Sequence, residues 1–290
     1  MVGKKVTAFD VVLVVIMVLL SAIFLYPLLN MLALSFSDSQ ELKSLPVYLW
    51  PKGFSLESYK ALLGDSRTLL YYWNTVKYAS VGTVIMLLTT SLMAYPLSIP
   101  ALRGRRFVSV LLTITMFFGG GLIPYYVTIM QLGMINTFWV MVIPGAISAY
   151  NVIVFKTFFM SIPEALRESA SLDGAGHVRI LFQIVLPLSK AVLATFALFS
   201  IVGYWNDYMT ALLYLRDDTK YPIQLLMRRL LVLMDYKDAS TAQMLKDFQK
   251  ISTRTTKAAA TIITVVPVLC VYPFMQKHFA KGVLVGSIKA

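Results

Sequence analysis

The sequence predicts an all-α, polytopic membrane protein built on six transmembrane helices. Three observations carry that reading. Of 290 residues, 58% are hydrophobic and only 14% are charged, more apolar surface than a soluble domain of this length has interior to hide. Apolar runs of about 20 residues or more, the length that crosses a bilayer, recur between polar connections. Lys and Arg collect in alternate short connections, as orientation signals do.

Lys4 and Lys5 precede the first run, 9–36. No small-residue cleavage site follows a short apolar core, so a retained helix is expected, not a signal peptide. Residues 37–70 hold Pro46, Pro51 and Gly53 and read as an outer loop with a short helix near 56–63. The second span is expected over 72–97, followed by Arg103, Arg105 and Arg106. The third, 107–131, contains Gly119-Gly120-Gly121 and Pro124. These weaken a helical ladder and are tolerated at membrane depth only where the backbone faces protein or a wet cavity. The fourth span is expected over 137–159, the fifth over 188–215 and the sixth over 258–275, with an outer loop over 216–257. All of 1–290 reads as a single membrane domain. Six spans put both termini on one side. Short connections there hold Lys4, Lys5, Arg103, Arg105, Arg106, Arg167, Arg179, Lys277 and Lys281, which places that side in the cytoplasm. The long loop 216–257 is basic too, but long loops translocate with less regard to charge.

The longest polar interruption in the middle of the chain, 161–187, joins the fourth and fifth spans. Ser161 followed by Glu164 fits a capping box. Ile162, Ala165, Leu166, Ser169 and Ala170 share one helical face, with Arg167 and Glu168 elsewhere. Asp173-Gly174-Ala175-Gly176 then stops the helix, because glycine tolerates the left-handed C-cap conformation. Val178, Leu181, Ile184 and Val185 recur in a second short helix closed by Pro187. Periodicity alone allows this pair simply to lie on the membrane surface.

Several function classes are disfavoured. The net charge of +12 is dispersed among apolar spans with no basic-aromatic patch, against nucleic-acid binding. Cys270 is the sole cysteine, so no internal disulfide or cysteine metal site forms. There is no GxxxxGK[ST], HExxH or GxSxG pattern, so the chain does not hold ATP in the P-loop manner and shows no catalytic set. His177 and His278 stand without a second ligand at metal spacing. An ion-coupled secondary transporter would show internal repeats and several midplane ionisable groups; Asp207 is the one clear candidate.

Asn206 and Asp207 fall in the expected fifth span. A carboxylate there faces the bundle interior or water, either lining a solute path or making a structural hydrogen bond. Tyr204, Trp205 and Tyr208 would stack on a bound ligand or form an interfacial aromatic belt.

Glu168-Ser169-Ala170, Gly174, Ile184, Leu186 and Pro187 resemble the EAA loop of binding-protein-dependent ABC importer permeases, with Ser169 where that family usually has Ala. Phe118 to Pro124 resembles the GGLIP segment of an oligosaccharide subgroup, Tyr204-Trp205-Asn206-Asp207-Tyr208 its W-N-[DE]-[FY] signature, and Gln276 to Ala290 its tail. The likeness covers nearly the whole chain and is strongest to the smaller permease of a pair. It implies a type I ABC importer permease fold in the bacterial inner membrane, with cytoplasmic coupling helices. Glu164, Glu168, Ser169, Ala170, Asp173, Gly174 and Ala175 would then couple to the ATPase, and Tyr204, Trp205, Asn206, Asp207 and Tyr208 would border the substrate path. Arg216, Lys220, Arg228 and Arg229 would meet the solute-binding protein. The implied partners are a second homologous permease, two ATPase subunits, that binding protein, an oligosaccharide and membrane lipid. The chain itself would bind no cofactor, with ATP and Mg on the ATPases. One importer of the subgroup takes up alginate, and the surplus charge of 216–257 suits an acidic oligosaccharide; a neutral one is the alternative.

Overall fold

The computed structural model describes residues 7–38, 41–43, 47–233 and 253–286. The helices, in chain order, are α1 (Ala8–Ser35), α2 (Glu57–Gly64), α3 (Ser66–Ser98), α4 (Arg105–Phe117), α5 (Leu122–Gln131), α6 (Ala149–Met160), α7 (Glu164–Leu172), α8 (His177–Leu188), α9 (Lys190–Asn206), α10 (Met209–Tyr214), α11 (Ile223–Leu233) and α12 (Thr253–Gly286). Among the described residues no strand forms beyond one isolated bridge, Ser37 opposite Phe54. By length and composition, α1 and α3 can each cross a membrane, and so can two bent pairs, α4 with α5 and α8 with α9. Residues 234–252 of the expected outer loop lie outside the described residues, as do 287–290 of the tail.

The chain divides into two compact units, Met1–Leu69 with Met227–Pro267, and Leu70–Leu226 with Val268–Ala290. In the first, Thr7 and Asp10 form a capping box that starts α1: the Thr7 amide donates to the Asp10 carboxylate at 2.8 Å, and the Asp10 amide to Thr7 Oγ1 at 3.3 Å. The apolar side chains that follow are exposed along most of α1, as a lipid-facing helix requires. Beyond it, Phe36 stacks between Phe54 at 5.6 Å and Tyr59 at 5.0 Å. Tyr59 also shares a 2.7 Å hydrogen bond with Ser35. Burial pushes the Tyr59 phenol pKa up, against the smaller opposing pull of that bond.

The second unit is built round Phe155 and Phe159 of α6, both fully buried. Phe155 meets Phe159 edge-on at 5.8 Å and Phe196 of α9 at 5.1 Å. Val152, Ile180, Leu181 and Val185 complete this core with Met86, Ala94 and Leu97 of α3.

Three expected spans are interrupted. The stretch 107–131 is two helices bent by 116°. α4 stops at Phe117, where Phe118 turns extended, and Gly121, at φ +79, is the N-cap from which α5 starts. Pro124 then falls in the first turn of α5, where its missing N–H costs nothing. In 137–159, a 3-10 turn over Phe138–Met141 precedes Pro144-Gly145, and α6 begins only at Ala149. The fifth expected span, 188–215, breaks at Asp207, so Asn206 and Asp207 lie at a helix end rather than inside a continuous helix. Two local expectations also change. Ser161 is no capping residue for α7: its hydroxyl donates to the Phe158 carbonyl at 2.7 Å, closing α6, and Pro163 precedes the first turn of α7. Pro187 does not close α8, which runs to Leu188. The wider turn over Leu181–Val185, of π type, leaves room just before a ring that would crowd an ordinary α-turn.

Candidate functional site: the α7–α8 elbow and a polar cavity beside α9

Alpha-helix α7 ends in a tight hydrogen-bonded stop. The amides of Asp173 and Gly174 donate to the Ser169 and Ser171 carbonyls at 3.0 and 3.1 Å, and that of Ala175 reaches back to the Ala170 carbonyl at 2.9 Å. Gly174 stands at φ +82. The long reach from Ala175 with a left-handed residue before it is the Schellman arrangement. A Cβ added to Gly174 would meet no heavy atom within 4 Å. Glycine is therefore required here by backbone conformation, not by a close crossing of the two helices.

The seven expected coupling residues divide around this elbow. Glu164 and Glu168, one turn apart, line a cavity of about 500 Å³ with Tyr95, Arg167, Leu172 and His177. Asp173, Ala170 and Ala175 line a smaller hollow of about 180 Å³ with Arg179 and Gln183. Ser169 is exposed. Glu164, Glu168 and Asp173 make no ion pair among the described residues. Leu172 is 89% exposed and Val178 68%. The elbow thus presents carboxylates unpaired among the described residues beside exposed apolar side chains from α7 and α8.

His177 is exposed, with Nδ1 3.4 Å from the Tyr95 hydroxyl. No group of three His, Cys, Asp or Glu that could hold a metal occurs among the described residues.

Beside α9 lies a second cavity, of about 380 Å³. It is lined by the aromatic rings of Tyr150, Phe196 and Phe199 and by the polar groups of Asn151, Ser200 and Asp207. Aromatic faces interleaved with hydroxyl, amide and carboxylate groups are what a sugar ring needs, since its axial C–H face stacks and its hydroxyls bond. Of the five residues expected to border a substrate path, Tyr204 and Asp207 also line this cavity. Tyr204 is pinned: its hydroxyl donates to the Val142 carbonyl at 3.2 Å, and its ring lies so close over Gly82 that a Cβ there would collide with it. Asp207 has a structural task as well, since its Oδ1 accepts from the Thr210 amide at 3.0 Å at the start of α10. Asn206 is exposed and accepts from Gln224 Nε2 at 3.0 Å. Trp205 belongs neither to an exposed stack nor to a belt: it is 5% exposed and meets Tyr72 edge-on at 5.3 Å. Tyr208 is half-buried.

The expected binding-protein contacts also part ways. Arg216, Arg228 and Arg229 are exposed. Lys220 is engaged within the chain, donating to the Asn136 carbonyl at 2.9 Å and standing 3.4 Å from the Asp217 carboxylate. Asn136, at φ 59, organises that corner: its Oδ1 accepts from the amides of Arg216 and Asp217 at 3.1 and 3.0 Å.

Sequence reasoning passed over Asn136, Asn151 and Ser200, and read Arg167 only as one of the cytoplasmic charges. The partners of Asn136, Arg167 and Ser200 include groups far away in sequence, and none of the four belongs to a spacing pattern.

A family profile described as "Binding-protein-dependent transport system inner membrane component" matches residues 1–285. Protein LplC of Bacillus subtilis (strain 168) is 38% identical over 281 residues, covering 97% of this chain and 95% of that one. The polygalacturonan/rhamnogalacturonan transport system permease protein YtcP of the same organism is also 38% identical, over 97% of this chain and 98% of its own length. Among solved structures, a chain of a bacterial ABC transporter involved in the import of the acidic polysaccharide alginate is similar, with a TM-score of 0.87 and 30% identity. That likeness covers 96% of this chain and all of the other.

Proposed function

The chain belongs to the family of binding-protein-dependent transport system inner membrane components, as a non-catalytic permease subunit of the inner membrane, and from that premise we propose that it passes an acidic oligosaccharide inward. The observation that carries the proposal is the elbow: among the described residues, Glu164, Glu168 and Asp173 make no ion pair, and they lie next to an 89% exposed Leu172 on a mostly exposed helix. In this reading α7 and α8 dock on an ATPase subunit, which holds ATP and Mg. Two such subunits, a second homologous permease and a solute-binding protein complete the importer. Both termini and the elbow face the cytoplasm.

The cavity beside α9 is the proposed stretch of the sugar path, with Asn151, Ser200 and Asp207 bonding hydroxyls and Tyr150, Phe196 and Phe199 offering ring faces. The names of two similar proteins, one for polygalacturonan and one for alginate, favour an acidic sugar. A neutral oligosaccharide is the second reading, favoured by one observation: among the described residues that line the cavity, Asp207 alone is charged, and it is negative. Co-expression with the permease partner, ATPases and binding protein, followed by uptake into vesicles, tests both. Faster uptake of uronate oligosaccharides than of neutral ones of equal length supports the first reading; the reverse order supports the second. Purification of the chain without any ATPase would sink the docking.

A further inference from the structure

Arg167 leaves α7 and runs back to the ends of two other helices. Its Nη2 donates to the Phe159 carbonyl at 2.6 Å and to that of Ile162 at 3.3 Å, while Nη1 donates to Ser98 Oγ at 3.5 Å. Phe159 lies in the last turn of α6, and Ser98 is the last residue of α3. The last carbonyls of a helix have no partner inside it and carry the negative end of its dipole. A cation there is favoured, and the planar fork of a guanidinium can meet two sites at once where an ammonium supplies a point. Arg167 Nε is buried and has no hydrogen-bond partner among the described residues. The side chain thus leaves one of its own donors unsatisfied while its two outer nitrogens reach both helix ends.

Little else holds α7 down. Along Glu164–Leu172 every residue is exposed except Arg167 and Ala170. Ile162 is buried just before the helix, and Ala175 is half-buried just after it. Without the guanidinium the helix would be attached by its two ends and one methyl group.

We propose that Arg167 is a positioning residue, a strut that makes α7 move as one body with the ends of α3 and α6. A push on α7 then reaches α3 and α6 at once, instead of being absorbed by rocking of a nine-residue helix. This inference rests on the reading of the elbow as the ATPase dock.

The test uses the complete importer in vesicles, with this chain carrying Arg167→Gln, Arg167→Lys or Ser98→Ala. Three quantities are read: ATPase recovered with the permease, ATP hydrolysed, and sugar transported per ATP. Arg167→Gln is expected to keep the ATPase and its hydrolysis while transport per ATP falls about fivefold, the scale of a modest coupling free energy. Arg167→Lys falls between, because one ammonium holds one site, and Ser98→Ala gives the smallest drop. A merely structural role would lower the yield of complex and leave transport per ATP unchanged in what is recovered; that result overturns the strut. Should Arg167→Gln yield no complex, the other two variants decide, and a wild-type ratio in both overturns it. If the unsubstituted chain recovers no ATPase, the docking reading fails first and the strut with it.

Discussion

The elbow between α7 and α8 and the corner at Asn136 are both polar interruptions of an apolar chain, yet their polar groups are used in opposite ways. At the corner almost every group is paired inward. Asn136 serves the amides of Arg216 and Asp217 and the ammonium of Lys220. Asn74 Nδ2 donates to the Thr219 carbonyl at 2.7 Å, Tyr78 to that of Lys220 at 2.8 Å, and the Ile223 amide to Thr75 Oγ1 at 2.8 Å. At the elbow the backbone is satisfied, but Glu164 and Glu168 make no ion pair among the described residues, and Leu172 and Val178 are exposed. A segment that spends its polar groups on itself holds a shape; one that leaves them open keeps a surface free of the chain's own contacts.

That contrast can be broken by moving the wrong measurement. Glu168→Lys combined with Leu172→Asp should weaken capture of the ATPase roughly a hundredfold, the effect of losing two central contacts, while thermal unfolding of the purified permease stays put. A lowered unfolding temperature would mean that the elbow is part of the core after all. Asn136→Ala should do the converse. Losing the two hydrogen bonds that its side-chain oxygen accepts from the Arg216 and Asp217 amides should cost about 2 kcal/mol of stability, read as a lowered unfolding temperature, with ATPase capture unchanged.

Gly174 tests a finer point, whether the elbow needs space or backbone freedom. Gly174→Val should cost about 1–2 kcal/mol, because a branched residue resists a left-handed backbone, whereas Gly174→Asn should be nearly silent in transport. Equal damage from both would point to a partner pressing on the glycine rather than to its φ. A charged replacement, Gly174→Asp, is expected to impair transport more than Gly174→Asn, since it adds a third carboxylate near Glu168 and Asp173.

The smallest effect concerns pH at the corner. Hydrogen bonds from the Thr219 hydroxyl and amide, and then Lys220, hold the Asp217 carboxyl below its ordinary range. A depressed folded-state pKa contributes stability that is present above the unfolded value and is lost as pH falls through the folded one. Asp217→Asn should therefore flatten the acid limb of the unfolding curve slightly and leave its neutral part alone. An unchanged acid limb would mean that the exposed carboxylate adds nothing measurable.

Much of this protein could be read along the chain. Composition sufficed for a lipid-embedded helical body, because burying so many apolar side chains leaves no soluble alternative. The Gly119–Gly121 run with Pro124 marked a weak point in the third apolar stretch, and Asp173-Gly174 marked the elbow. Both are local events, decided by φ preferences of single residues. What the chain alone left open was decided by contacts between distant segments. Trp205 read as facing a sugar or the membrane interface, and packing against Tyr72 buried it instead. Ser161 looked like the start of α7, yet the Phe158 carbonyl claimed its hydroxyl. Arg167 read as one more charge on an exposed helix, and only the meeting of α3 and α6 gave its guanidinium the carbonyls and hydroxyl it bonds. Backbone preference and hydrophobicity act over a few residues and so are written in the sequence; hydrogen-bond partners 8 to 80 or more positions apart exist only once the helices have come together.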